Sequence, residues 1–319
     1  MTLRIAVLDD YQKVAAAMAD WRSIGDDAEV VFFDDHLADP NAVAARLAPF
    51  DVICIMRERT PIDAALIARL PQLKLLVTSG MRNAAVDTRA LAARGIPFAG
   101  TGMLGGPTAE LTWGLILALL RRIPVEDRGM RAGGWQATVG TGLEGKTLGV
   151  LGLGRLGGRV VRVGKAFTMD VIAWSPNLTA EKAAGQGARL VSKEQLFAQA
   201  DVLTIHMVLS ARSRGLVGAA DISRMKESAI LVNTSRGPLV DEAALIDALR
   251  RRRIAGAAID VYDIEPLPAD HPLRGLDNTV LTPHLGYVTA ENYRQAYAEM
   301  VEDIVGWRAG EPVRMIAPG

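Results

Sequence analysis

Apolar residues recur along this chain in short runs, each followed by a stretch in which they return at every third or fourth position. The runs read as buried strands, and the periodic stretches as helices packed against a sheet. In the N-terminal part, strands are predicted at 4–8, 29–33, 51–56, 73–78 and near Phe98, with helices at 14–21, 42–47 and 62–70. One helix start is strongly marked, with Thr60 as N-cap, Pro61 at the first helical position and Asp63 three residues after the cap. A breaker cluster, Gly102-Met103-Leu104-Gly105-Gly106-Pro107, then precedes an apolar helix from about Thr108. From Thr147 a second series begins, with strands predicted at 147–151, 171–174, 188–191, 202–206, 230–233, 256–260 and 279–282. Helices are predicted at 157–167, 193–198, 222–226 and 242–251, and a last one at 290–307. Alternation of this kind predicts parallel sheets with helices on their faces, and the length suits two such domains.

Composition narrows the class without naming an activity. The 36 basic side chains balance 36 acidic ones, so no nucleic-acid or anionic-surface partner is suggested. The arginine run 250–253 reads as the last turn of a helix, where cations suit the dipole. The lone cysteine, Cys54, sits inside the apolar run Val52-Ile53-Cys54-Ile55-Met56 and reads as a core residue. A single thiol allows neither a disulfide framework nor a thiolate metal site, so no metal and a reducing, cytoplasmic setting are expected. Met1-Thr2-Leu3-Arg4 leads straight into the first strand, so no signal peptide is expected. The most apolar segment, 111–120, is too short to span a bilayer and reads as a buried helix, so no membrane role is expected.

Chemistry enters with the turn after the strand at 147–151. Its spacing, Gly152-x-Gly154-x-x-Gly157, is that of a strand–loop–helix turn that binds the pyrophosphate of a dinucleotide. Arg155 and Leu156, between the glycines, belong to the helix start whose N–H groups and dipole favour phosphate. Three titratable or charged residues follow later strands of the same series: Arg236, Glu265 and His284. In a parallel sheet all carboxyl ends of strands lie on one edge, so these three are expected beside the glycine turn. Together they suit hydride exchange at a ketone: His284 to supply the proton, Glu265 to hold and charge the imidazole, Arg236 to bind a carboxylate and polarise the carbonyl. Each alone has an ordinary reading, as a solvated charge, a loop residue or a structural histidine. Their joint placement favours chemistry.

Four ordered segments carry a resemblance: the glycine turn, Asn233-Thr234-Ser235-Arg236-Gly237, Asp260-Val261-Tyr262-Asp263-Ile264-Glu265-Pro266, and Thr282-Pro283-His284-Leu285-Gly286. They resemble the NAD(P)-dependent D-2-hydroxyacid dehydrogenases, and the likeness covers essentially the whole chain. The resemblance implies an α/β fold in which a Rossmann-type dinucleotide-binding domain, 102–285, is inserted into a smaller flavodoxin-like doubly wound substrate domain, 1–101 with 286–319. It implies exchange of a hydride between NAD(P)H and a small 2-keto acid, such as glyoxylate, hydroxypyruvate or pyruvate, with the cleft between the domains. Arg236, Glu265 and His284 become the catalytic residues, Thr234 and Asp260 approach the nicotinamide half of the cofactor, and His206 lies near the adenosine. A homodimer through the cofactor domain is also implied, to which the helix at 111–120 is a possible contributor.

Several positions depart from the family pattern. The turn expected to hold the substrate carboxylate is Ser79-Gly80-Met81-Arg82-Asn83, where Met81 and Arg82 are the candidates and Arg82 replaces a small residue. Arg57 matches a family arginine at the cleft, with a plain surface charge as its alternative, and Tyr287 stands where a small residue is usual. Val208 replaces a proline two residues after His206. The residue expected to read the ribose is Ser175, not an acid, so the sequence leaves NAD and NADP both open. Two rival functions share the fold: a nicotinamide-sensing, corepressor-like binding protein, and a dehydrogenase of the formate or phosphite type. The chain's close at Gly319, with no long tail, gives the first rival no support.

Overall fold

A computed structural model describes residues 2–318. The chain divides into two compact units, Met1–Leu104 with Thr289–Gly319, and Gly105–Val288. The first holds five parallel strands: β1 Leu3–Val7, β2 Ala28–Phe32, β3 Val52–Ile55, β4 Leu75–Thr78 and β5 Phe98–Gly100. Their order, β2-β1-β3-β4-β5, is the flavodoxin-like arrangement of a doubly wound sheet. β3 and β4 are buried at every position, which is why their sequences are continuous apolar runs rather than alternating ones.

The second unit holds seven parallel strands: β6 Thr147–Leu151, β7 Asp170–Trp174, β8 Arg189–Leu190, β9 Val202–Ile205, β10 Ile230–Asn233, β11 Gly256–Ile259 and β12 Thr279–Leu281. Their order is β12-β11-β10-β9-β6-β7-β8. The direction in which successive strands are added therefore reverses between β6 and β9, the topological switch point at which Rossmann sheets open a ligand crevice. The helix Pro107–Leu120 buries Ala109, Thr112, Trp113, Leu115, Ile116 and Leu119 in this unit's own core, and Trp113 donates its indole N–H to the Val160 carbonyl. No helix among the described residues is long and apolar enough to cross a membrane.

The last helix, Ala290–Arg308, belongs to the first unit. Its Tyr297 packs against Trp21 at 6.2 Å, its Arg308 pairs with Asp27, and Glu299 accepts the backbone N–H of Gly102 at 2.5 Å. Elsewhere the structure departs from the sequence pattern in several places. The helix predicted at 222–226 is Ala219–Ile222, ending where the predicted one begins. The helix predicted at 62–70 is Ala64–Ala68, and its N-cap is Asp63, whose carboxylate accepts the Leu66 N–H at 2.8 Å. Thr60 is instead buried, donating its hydroxyl to Asp9 at 2.8 Å. The arginine run is only partly helical, because the helix ends at Arg250 and Arg252 reaches Asp277 from beyond it. The helices Thr88–Ala93, Ile123–Arg131 and Ala180–Gly185 carried too weak a pattern to be read in advance.

Asp9 is 2% exposed, and burial raises its pKa, while the Thr60 hydroxyl opposes that rise. Removing this donor raises the folded-state pKa further, so stability is lost as pH rises above the unfolded carboxylate's value. Thr60→Val is expected to lower the unfolding free energy by about 1–3 kcal/mol at pH 7, and by less at pH 4. Urea titrations at the two pH values check this. Equal losses at both would mean that Thr60 does not serve Asp9.

Candidate active site

The glycine turn is built by close packing. Gly152 has φ +101°, and a Cβ there would lie 2.6 Å from the carbonyl oxygen of His206. Its N–H donates to the Trp174 carbonyl at 2.9 Å, and the His206 N–H donates to the Leu151 carbonyl at 2.7 Å, so the exits of β6, β7 and β9 are knitted together. A Cβ on Gly157 would overlap the Gly152 carbonyl, which fixes how closely the helix Arg155–Ala166 approaches the strand. At Gly154 the same test meets only open space, and this N-cap has no side-chain hydrogen bond. The N–H groups of the first helical turn, from Arg155 to Gly157, are thus left for an anion. These residues fit the pyrophosphate of a dinucleotide.

Beside the turn lies a cavity of about 650 Å³, lined among others by Gly152, Ser175, His206 and Val208. Ser175 is tied to the turn, accepting the Leu153 N–H at 3.0 Å. His206 shares a hydrogen bond of 2.9 Å between Nε2 and the Thr204 hydroxyl. Its Nδ1 is shielded from solvent and has no partner among the described residues. Burial pushes its pKa down to about 4, so the imidazole is neutral at physiological pH. Such an orphaned ring nitrogen suits a ligand that carries its own donor or acceptor.

Past β10, Asn233 shapes the next turn: its Oδ1 accepts the Ser235 N–H and its Nδ2 donates to the Arg236 carbonyl, both at 3.0 Å. Thr234 is buried against Thr112 through a hydroxyl pair at 2.9 Å. Arg236 donates from Nη1 to the Ser235 carbonyl at 2.7 Å. Gly237 lies so near the backbone leaving β11 that a Cβ would stand 2.5 Å from Asp263 N. That contact sets the arginine turn against the segment carrying Glu265. Glu265 accepts the Tyr262 N–H through Oε1 at 2.9 Å, and its Oε2 meets Nδ1 of His284 at 2.6 Å. Nε2 of His284 has no partner among the described residues. The carboxylate therefore fixes the imidazole and leaves the other nitrogen for proton exchange.

His284 itself has φ +54°, a costly conformation for a residue with a Cβ. Its N–H donates to the Asp260 carbonyl at 2.8 Å. The Asp260 carboxylate, fully buried, accepts from the Thr282 hydroxyl, the Leu285 N–H and the Gly286 N–H at 2.6, 2.7 and 2.9 Å. Burial still pushes its carboxyl upward. Tyr287 is nearly buried and sets its ring edge-on to that of His284, centroids 5.4 Å apart. Asp260 and Thr282 belong to the segments that carry the resemblance and Tyr287 departs from it, but that the three brace His284 follows only from the geometry.

In the first unit, Arg57 follows β3 with φ +53°. It donates its N–H to the Ser79 hydroxyl at 2.9 Å and Nη1 to the Ser79 carbonyl at 3.2 Å. Asn83 donates to the Arg57 carbonyl at 2.6 Å, and the Gly80 N–H is given to the Thr101 hydroxyl at 3.1 Å. Arg57, Gly80 and Asn83 thus form one braced turn, on which Met81 and Arg82 are exposed.

Residues 113–286 match the family model described as D-isomer specific 2-hydroxyacid dehydrogenase, NAD binding domain. The chain belongs to the D-isomer specific 2-hydroxyacid dehydrogenase family. A glyoxylate reductase from Aeropyrum pernix is 38% identical over 260 residues, 78% of this chain and 78% of the relative. A D-3-phosphoglycerate dehydrogenase from Archaeoglobus fulgidus is 39% identical over 265 residues, covering 82% of this chain but 50% of the relative. The chain thus spans about half the length of the phosphoglycerate dehydrogenase it matches. Among solved structures, a phosphoglycerate oxidoreductase from Vibrio cholerae superposes with a TM-score of 0.92 at 35% identity, covering 97% of this chain and 100% of that one.

His206 gives this family member a pH-dependent term that can be isolated. Above the unfolded histidine's pKa of about 6.5 both states are neutral. As pH falls, the unfolded chain takes a proton that folded His206 declines until about pH 4, so this contribution to stability is lost over that window. The unfolding free energy of the natural chain is expected to fall relative to that of His206→Gln between pH 6.5 and 4. Parallel stability–pH curves for the two proteins would contradict the assignment.

Proposed function

We propose that the chain reduces a small 2-keto acid to the D-2-hydroxy acid, or runs the reverse oxidation, with a bound nicotinamide dinucleotide. The observation that carries this reading is the 2.6 Å contact between Glu265 Oε2 and His284 Nδ1, on the sheet edge that also carries the glycine turn. When bound, the nicotinamide supplies or accepts the hydride. His284 delivers from Nε2 the proton that the developing alkoxide needs, and takes it back in the oxidation. Glu265 engages Nδ1 and fixes the ring's orientation. Arg236 binds the substrate carboxylate and polarises the carbonyl with its planar guanidinium.

Cofactor contacts come from the second unit: Gly152, Gly154, Arg155, Leu156 and Gly157 at the pyrophosphate, Ser175 and His206 on the adenosine side, and Thr234 toward the nicotinamide. The Asp260 carboxylate is already engaged by three donors, so its part is to hold the loop that carries His284. Within the first unit, the proposed substrate residues are Met81 and Arg82, on a turn that Arg57 braces. Tyr287 packs on His284 and narrows the site from the second unit. A homodimer through the second unit belongs to the same proposal. Its support is four exposed apolar side chains in one stretch of chain, Ile123, Met130, Trp135 and Val139, whereas the helix before them is largely buried. The lone, buried Cys54 agrees with a reducing, cytoplasmic setting.

Turnover with glyoxylate, hydroxypyruvate, pyruvate and bulkier keto acids tests the reading. His284→Gln is expected to lose at least about 100-fold in kcat while keeping its dinucleotide affinity. Near-full activity in that variant would remove the proton-donor assignment. Glu265→Gln takes away the carboxylate that orients the ring, so kcat is expected to fall while dinucleotide affinity is kept. Unchanged kcat in that variant would break the pairing. A natural chain that binds dinucleotide yet turns over none of the keto acids would favour the corepressor-like alternative.

A further inference from the structure

Ser175 lies at the end of β7, eighteen residues after Gly157, where a dinucleotide fold that selects NAD places an acid for the ribose hydroxyls. Its hydroxyl is turned to the glycine turn and accepts the Leu153 N–H. No aspartate or glutamate lines the cavity that opens beyond it. Two cations do, and they arrive from separate segments. Lys182 comes from the helix Ala180–Gly185, and Arg212 from the loop after β9. Both are exposed, and neither has a carboxylate partner among the described residues. Asn177, two residues past Ser175, adds a neutral amide to the same wall.

A wall without a carboxylate lacks the usual acceptor for the ribose hydroxyls, and two cations on it suit a phosphate dianion. A 2′-phosphate would meet no repulsion at Ser175 and would gain two charge-assisted partners. The neighbouring His206 is neutral and adds no charge of either sign. We infer that this chain selects NADP(H) over NAD(H), with Lys182 and Arg212 holding the 2′-phosphate and the lack of an acid at Ser175 permitting it. The inference rests on the reading that the second unit binds a nicotinamide dinucleotide. It adds a cofactor choice that the family relationship leaves open, made by residues outside the glycine motif.

Titration calorimetry on the full chain tests it without turnover. NADP+ is expected to bind at least about ten-fold more tightly than NAD+, with a difference that shrinks as salt is added. Adenosine 2′,5′-bisphosphate is expected to bind more tightly than 5′-AMP in the same proportion. Lys182→Ala and Arg212→Ala should each weaken NADP+ several-fold and leave NAD+ unchanged, and Ser175→Asp should reverse the preference. Equal or tighter binding of NAD+ by the natural chain would overturn the inference while leaving the dehydrogenase reading intact. Equal weakening of both dinucleotides in the two alanine variants would overturn it as well. Failure of both dinucleotides to bind would overturn the inference and the functional reading together.

Discussion

A carboxylate with no solvent exposure is costly unless its oxygens are fully hydrogen-bonded, and Asp260 meets that condition in an instructive way. Its three donors all come from one short segment, the Thr282 hydroxyl and the N–H groups of Leu285 and Gly286. Its carbonyl takes a fourth, from His284 itself. The segment therefore cannot relax without stranding a buried charge. This constraint holds His284 in a left-handed backbone conformation that it would not otherwise adopt. Glu265, Tyr262 and Tyr287 then complete the support around a ring whose position is already set.

The rest of the second unit follows from a parallel sheet opening at its switch point. Strand order places the glycine turn after β6 next to His206 after β9, with the exits of β10, β11 and β12 farther along the same edge. The free N–H groups of the glycine turn and the titratable side chains are thereby distributed along one rim, although Gly152 and His284 are separated by more than a hundred residues of sequence. Small residues set the spacing of that rim. Gly152 lets β6 approach the His206 carbonyl, and Gly237 lets the arginine turn approach the backbone that leads to Glu265. Replacing either would move a functional group by the width of a methyl, without touching any charge.

Much of this was legible in the sequence because the strands are short apolar runs with chemistry at their ends. Arg236, Glu265 and His284 each follow such a run, and a parallel sheet leaves little choice about where strand ends go. Local signals failed where tertiary demand outweighed them. Thr60 before a proline has every mark of a helix cap, but the buried Asp9 takes its hydroxyl and Asp63 caps the helix instead. The cations of the adenosine-side cavity were invisible for another reason. Lys182 and Arg212 belong to a short helix and an irregular loop, and only the strand order places both on the wall beside Ser175. No arginine follows Ser175 immediately in the sequence, and the two cations lining the cavity come from other segments.

In the proposed reaction the site moves a hydride onto the carbonyl carbon of a 2-keto acid and a proton onto its oxygen. The most direct measurement supplies NADH and NADPH deuterated at the transferring position of the nicotinamide, side by side, with hydroxypyruvate. Proton NMR and chiral analysis of the product then follow the label. The account predicts deuterium at C2 of glyceric acid of the D configuration, from at least one of the two dinucleotides. Product without deuterium at C2, or with the L configuration, would contradict it.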